Sequence, residues 1–310
     1  MKNENNQTTG MLYAIFAYFM WGIFPLYWKL IHSVSSFEIL AHRIFWSFIF
    51  MIFLLVFSKK LKLFFTSLKK LIQSPRNLLF LLIASILVSM NWVLYIWSVN
   101  HGHIIETSLG YYINPLITIL LGIVFLKEKL NPWQVVAIVL AFSGVVLLTF
   151  EFGQIPWIAL TLAFTFAFYG LIKKYIKLDA MVGLTIETMF VAPIALIYLI
   201  TLKVNDSISF GTGSLMTTLL LLGTGIATAL PLLCFAEAGK RISLTMIGFF
   251  QYISPTITLV IGIFVFKENF SQAQLTSFLF IWAALIIFSL AETKFMTKFL
   301  HKGKPIHVGK

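Results

Sequence analysis

Ten apolar runs, parted by short clusters of charged or turn residues, follow one another near residues 11–30, 37–57, 78–98, 104–126, 132–150, 155–172, 180–202, 214–238, 243–266 and 273–291. Each run approaches the about 20 residues that a helix needs to cross a hydrocarbon layer about 30 Å thick. The pattern predicts an all-α integral membrane protein with ten transmembrane helices. Two links, Asn100 to His103 and Glu151 to Gln154, are short enough for hairpins between neighbouring helices. The longest, Ser58 to Asn77, reads as a loop. Met1 to Gly10 reads as a short polar lead-in, and the run from Met11 is too long for a signal-peptide core.

Composition agrees with this class. The 310 residues are 59% hydrophobic and 11% charged, against about 25% charged in an ordinary soluble chain. That leaves too little polar surface for a water-facing globule. The net charge of +12 could point to nucleic acid, so its placement decides its meaning. With the N-terminus inside, all but Lys29, Arg43, Lys203 and Lys267 of the 23 basic residues fall in cytoplasmic segments. That asymmetry predicts both termini in the cytoplasm. The lysines flank spans and can meet anionic lipid heads, so membrane lipids are expected partners and nucleic acid is not. The lone cysteine, Cys234, excludes a disulfide framework and any Cys-based metal cluster.

The chain also resembles itself. A shift of 140 positions lays Tyr112-Ile-Asn-Pro115 on Tyr252-Ile-Ser-Pro255, Ile117-Thr118 on Ile257-Thr258, Gly122-Ile123 on Gly262-Ile263, Lys127-Glu128 on Lys267-Glu268 and Gln134 on Gln274. Five spans per half is an odd number, so the second half should enter the bilayer upside down. The expected organisation is two inverted five-helix repeats, residues 10–150 and 155–291, followed by a basic cytoplasmic tail over 292–310. Inverted repeats allow two similar halves to exchange conformations and open one central site to either side, which is the physical argument for a transporter.

The stretch Trp21-Gly-Ile-Phe-Pro-Leu-Tyr-Trp-Lys29, then Glu38-Ile-Leu-Ala-His-Arg43 with Trp46-Ser47, then Asn100-His-Gly-His103 leading to Ser108-Leu-Gly-Tyr-Tyr-Ile-Asn-Pro115, resembles the RarD branch of the drug/metabolite transporter superfamily. Members of that branch are often labelled chloramphenicol-sensitivity proteins. The resemblance runs from about Gly10 to Leu290 and takes in both EamA-type halves. It implies a ten-helix permease of the bacterial inner membrane with a central cavity, and it names no substrate.

Prolines and charges inside spans point to where a small-molecule substrate would sit. Pro25, Pro115, Pro193, Pro231 and Pro255 each remove the backbone bond to the carbonyl four residues back, which makes them candidate hinges. They suggest a polar cavity lined by spans one, four, seven, eight and nine, although a simple packing kink is the alternative. Arg43 and Glu187 lie at mirrored depths and are candidate gate or substrate-contacting charges. Glu38 and His42, four apart on one helical face, are candidates for proton coupling or a plain interfacial pair. Glu106 and Glu237 read as snorkelling residues. Trp21, Tyr95, Tyr111, Tyr112, Asn114, Gln251 and Tyr252 complete the candidate substrate-binding set, with aromatic faces suited to a flat or cationic molecule.

The leading reading is a secondary transporter, an exporter of small organic solutes, metabolites or drugs, working by alternating access. No G-x-x-x-x-G-K loop is present, and no loop is large enough for an ATPase domain. Nothing calls for a cofactor or a metal, since His101-Gly-His103 on a short loop is a weak signal. The alternatives are a membrane scaffold without transport and a polytopic membrane enzyme. The sequence carries no signal for oligomeric state.

Overall fold

The computed structural model describes residues 2–100, 103–153, 156–176, 178–265, 267 and 271–291. The described chain forms twelve helices: α1 (Lys2–Leu30), α2 (Ser36–Phe57), α3 (Leu61–Ile72), α4 (Pro75–Asn100), α5 (Ile104–Leu126), α6 (Pro132–Phe152), α7 (Trp157–Tyr175), α8 (Ala180–Val204), α9 (Leu215–Arg241), α10 (Leu244–Gln251), α11 (Ile253–Phe264) and α12 (Gln272–Ala291). Ten stretches among the described residues are long and apolar enough to cross a membrane, and they match the ten apolar runs one for one. The protein is therefore a multi-pass membrane protein.

Three elements differ from the sequence reading. The lead-in is helical, because α1 starts at Lys2 and carries its polar first turns continuously into the span. The loop between the second and third spans contains α3, whose Phe64, Leu68 and Leu71 pack against Val182 and Ile186 of α8. Its other face carries Lys62, Lys69 and Lys70 beside exposed Leu63 and Phe65. Twelve residues with that division are too short to cross and suited to lie at an interface, a signal hidden by their modest hydropathy. Just before it, the Lys60 ammonium lies 2.8 Å from the Asp179 carboxylate that caps α8. Burial alone would raise the Asp179 carboxyl, but Lys60 holds it below its ordinary value.

The third difference concerns proline. Pro25, Pro115, Pro193 and Pro231 sit inside unbroken helices. Among the described residues only the ninth span breaks, at Tyr252, which ends α10 and starts α11. Pro255 falls in the first turn of α11, where its missing N–H has no intrahelical acceptor to lose. Pro115, its counterpart in the other half, interrupts nothing.

α1 packs on α9 and α11, α2 on α8 and α9, α4 on α7, and α5 on α7 and α10, while α6 and α12 pair at the periphery. Exchanging the first five spans with the last five maps each of these pairs onto another or onto itself, given the smaller contact of α4 with α8. The 140-residue offset also reproduces local geometry. Lys127 and Lys267 both take left-handed backbone, with φ of 56° and 58°. Asn131 with Gln134, and Ser271 with Gln274, build the same reciprocal capping box. These features are compatible with two inverted repeats.

Close helix approach depends on small residues. A Cβ on Gly225 of α9 would meet the backbone of Trp46, where Ser47 Oγ already donates to the Gly225 carbonyl at 3.1 Å. Backbone cannot swing aside as a side-chain tip can. Gly225→Leu is expected to destabilise the bundle by about 1–3 kcal/mol through overpacking, read as a lowered thermal unfolding midpoint in detergent. An unchanged midpoint would show that α2 and α9 separate freely there.

Candidate functional site

Arg43 stands on the second turn of α2, and its guanidinium reaches into the bundle. Nε donates to Thr228 Oγ1 of α9 at 3.0 Å. The guanidinium carbon lies 4.8 Å from the Trp28 ring centre of α1 and 5.1 Å from that of Trp92 of α4. Tyr95 and Tyr111 come within electrostatic reach, their rings 6.0 Å apart. Five spans thus converge on one cation. Among the described residues no carboxylate lies within ion-pair distance of it. Tyr111, which faces this cluster, keeps 46% of its surface exposed.

Below Arg43 a narrow cavity of about 20 Å³, room for about one water molecule, lies between α2, α4, α7, α8 and α9. Trp92 is shared between the two, and Ser47, Ser89, Tyr169, Glu187 and Thr188 bring polar groups to otherwise aliphatic walls. The spans that line it are the second, third, sixth, seventh and eighth. Of the five expected from the prolines, one, four and eight meet at Arg43, seven and eight border the cavity, and nine takes part in neither. Four of the five prolines leave their helices intact and Pro255 only follows a break, so the freed carbonyls do not shape the space.

The far end of the cavity is closed. Glu187 Oε1 receives the Lys173 ammonium at 2.5 Å, and Oε2 accepts from the Tyr169 hydroxyl at 3.1 Å. Glu187 and Lys173 are 3% and 11% exposed, so this is a buried ion pair. Tyr18, Trp21, Phe166, Tyr169 and Phe235 form a continuous aromatic plug beside it, with Tyr169 and Phe235 stacked at 6.0 Å. Beyond the plug, Glu128 accepts from the backbone N–H groups of Leu244 and Thr245, at 2.7 and 2.8 Å. It thereby caps α10 from the connection between α5 and α6, where a carboxylate also suits the dipole. Lys174 donates to the carbonyls of Gly239 and Ile242 at the end of α9. Glu128→Ala is expected to free the first turn of α10, costing about 1–2 kcal/mol locally. Faster hydrogen exchange at Leu244 and Thr245 would show it, and unchanged exchange would leave the cap without effect.

At the opposite face Glu38 ties α2 to the α8–α9 connection. Oε1 accepts from the N–H groups of Ser209 and Phe210, at 2.7 and 3.3 Å, and Oε2 from the Ser209 hydroxyl at 2.9 Å. His42 lies behind it, 2% exposed, with Nε2 3.7 Å from Glu38 Oε1. The Trp46 indole N–H donates to His42 Nδ1 at 3.0 Å, which places the imidazole proton on Nε2.

The predicted residues therefore divide. Arg43, Tyr95 and Tyr111 come together, and Glu187 borders the cavity below them. Arg43 and Glu187 do not meet, because each has partners of its own. Trp21 belongs to the plug. Tyr112 packs edge-on to Phe278 and faces the Pro255 carbonyl, and the Asn114 side chain accepts from Thr118 at 3.0 Å; both lie outside the Arg43 cluster. Gln251 and Tyr252 are buried at the break in the ninth span, and Gln251 Oε1 and the Tyr252 hydroxyl have no hydrogen-bond partner among the described residues. Glu237 pairs with Lys240 and Arg241, as a residue at a span end should. The side chain of Glu106, with His101 and the 292–310 tail, lies outside the described residues. Sequence reasoning missed Thr228, Trp92 and Lys173. The first two carry no charge or spacing signal, and Lys173 looked like one of the basic residues that flank spans.

The model of the EamA-like transporter family matches residues 8–150. The uncharacterized transporter YojE of Bacillus subtilis (strain 168) is 49% identical over 285 residues, 92% of this chain and 95% of that protein. Protein RarD of Escherichia coli (strain K12) is 44% identical over 279 residues, covering 90% and 93%. A crystal structure with 16% sequence identity shares the fold at a TM-score of 0.70, over 93% of this chain and 99% of that one. Near-complete coverage at such identity, on a chain with ten candidate spans, shows the family: the chain belongs to the RarD-type branch of the EamA-like transporters.

Proposed function

We propose that the protein is a secondary transporter that exports small organic solutes, metabolites or drugs, by alternating access. In this reading it lies in a bacterial inner membrane with both termini in the cytoplasm. The observation that carries the proposal is the paired packing of the two halves around an aromatic-lined cation, with an aromatic plug and a buried ion pair to one side of it. A polar site inside the bundle with a barrier to one side is what one state of an alternating carrier requires. The paired packing of the two halves supplies a second state in which the roles of the ends exchange. Energy comes from the solute gradient or from proton exchange, for which Glu38 and His42 are the groups placed to respond.

Purified protein in sealed vesicles is expected to catalyse counterflow of a labelled solute chosen by comparing metabolites inside and outside cells with and without the gene. A solute that accumulates inside cells lacking the gene establishes export. Failure to exchange any member of a broad metabolite panel would overturn the carrier reading. Exchange that ignores an imposed proton gradient would remove Glu38 and His42 from coupling and leave the carrier intact.

A further inference from the structure

We infer that helix α3 is a docking surface for anionic phospholipid, holding the phosphate level of the bilayer with one strip of lysines and its acyl boundary with an adjoining apolar strip. The inference stands apart from the carrier reading and adds an interaction surface to it. The argument begins with charge. Residues 58–77 contain Lys59, Lys60, Lys62, Lys69, Lys70 and Arg76, and no Asp or Glu. Lys60 is engaged by Asp179, which ties the start of α3 to α8. Among the described residues, no carboxylate lies within ion-pair distance of the other five. Lys62, Lys69 and Lys70 are exposed. A basic cluster on an amphipathic helix, without counter-ions of its own, is complementary to the phosphates of an anionic membrane surface.

The shape of the helix narrows the partner further. The helical period sorts its residues into strips. Phe64, Leu68 and Leu71 form the strip that packs on Val182 and Ile186 of α8. Beside it run Leu61, Phe65 and Ile72, which are 38%, 64% and 63% exposed. Next to these, and turned one step further from the protein, run Lys62 and Lys69. With its third side held by α8, the helix can sink the apolar strip into the acyl boundary while the ammoniums stay at phosphate level. The packing fixes its rotation, so binding does not first have to order the helix. A soluble anion would satisfy the lysines and leave Phe65 and Ile72 in water. A second copy of the chain would bring the same charges to the contact and be repelled.

The test uses the full-length protein, one copy per nanodisc, in phosphatidylcholine alone or mixed with phosphatidylglycerol, and follows hydrogen exchange over residues 61–72. Phosphatidylglycerol should slow exchange there by about tenfold or more, as several lysines at an anionic surface imply. Lys62→Gln, Lys69→Gln and Lys70→Gln together should abolish the slowing while keeping the helical content of the parent. Lys127→Gln with Lys129→Gln, which removes basic residues from the connection between α5 and α6, should keep it. Phe65→Ser with Ile72→Ser should weaken it with every charge retained. Equal exchange in the two bilayers would overturn the inference, as would slowing that survives in the lysine variant or is untouched by the Phe65 and Ile72 changes. Equal slowing by soluble glycerol 3-phosphate in phosphatidylcholine discs would also overturn it. Slowing that requires two copies in one disc would overturn it in favour of self-association. The comparison of bilayers in the unaltered protein stands even if a variant misfolds. Failure of solute exchange in vesicles would overturn the carrier reading and leave this surface standing.

Discussion

Arg43→Gln is expected to lower counterflow of the transported solute by about a hundredfold or more while leaving expression and helical content at the parental level. Glutamine keeps a donor and much of the side-chain volume, so the substitution removes the charge and the fork with little change in packing. The loss of charge-assisted hydrogen bonds in a poorly solvated site accounts for the size of the effect. Arg43→Lys should not rescue it. An ammonium cannot lie flat between Trp28 and Trp92 and donate to Thr228 at the same time, nor can it present two parallel N–H groups. Initial exchange rates, normalised to reconstituted protein, decide the matter. Parental rates in both variants would remove Arg43 from the transport site.

The second large effect falls on stability. Lys173→Met strands the Glu187 carboxylate in the closed end of the cavity with only the Tyr169 hydroxyl for company. Breaking a buried pair from one side typically costs about 3–5 kcal/mol, because an uncompensated charge is left behind. Removing both charges, in Lys173→Met with Glu187→Gln, should recover most of that loss, since the pair itself contributes little once its desolvation is counted. Denaturant unfolding of the single and double variants in detergent reads the difference. A single variant within about 1 kcal/mol of the parent would mean that water or movement already relieves Glu187. In the carrier reading the double variant should also release the closed end, so its exchange rate tests whether the ion pair works as a gate.

The two predictions concern the two charges that sequence inspection singled out, and they differ because the structure gives the charges different company. Depth along a helix is set by residue number, so Arg43 and Glu187 could be placed at mirrored levels from the spans alone. Azimuth is not set in this way. Whether a side chain faces a partner, a chamber or lipid depends on how five or six helices are rotated against one another. Tyr111 and Tyr112 are adjacent in sequence and share a depth, yet one faces Arg43 and the other packs on Phe278. The repeat likewise matched Pro115 with Pro255, but one sits in an unbroken helix and the other follows a break.

What the sequence determined by itself is everything that follows from transfer into a bilayer and from local backbone chemistry. Ten spans are legible because each apolar run must satisfy its own backbone groups as a helix. The RarD resemblance and the 140-residue repeat are legible because they are written in contiguous residues. Helix α3 escaped notice because its apolar face shows as a period within a short, lysine-rich stretch and not as a run. Only the tertiary structure decided which residues come together in the candidate site. Thr228, Trp92 and Lys173 acquire their roles from residues 185, about 49 and 14 positions away, Arg43, again Arg43 and Glu187. Helices in a bilayer lack a hydrophobic drive toward one another, so small residues and polar contacts at their interfaces choose the rotations. Those contacts lie between distant parts of the chain, and no single stretch of sequence records them.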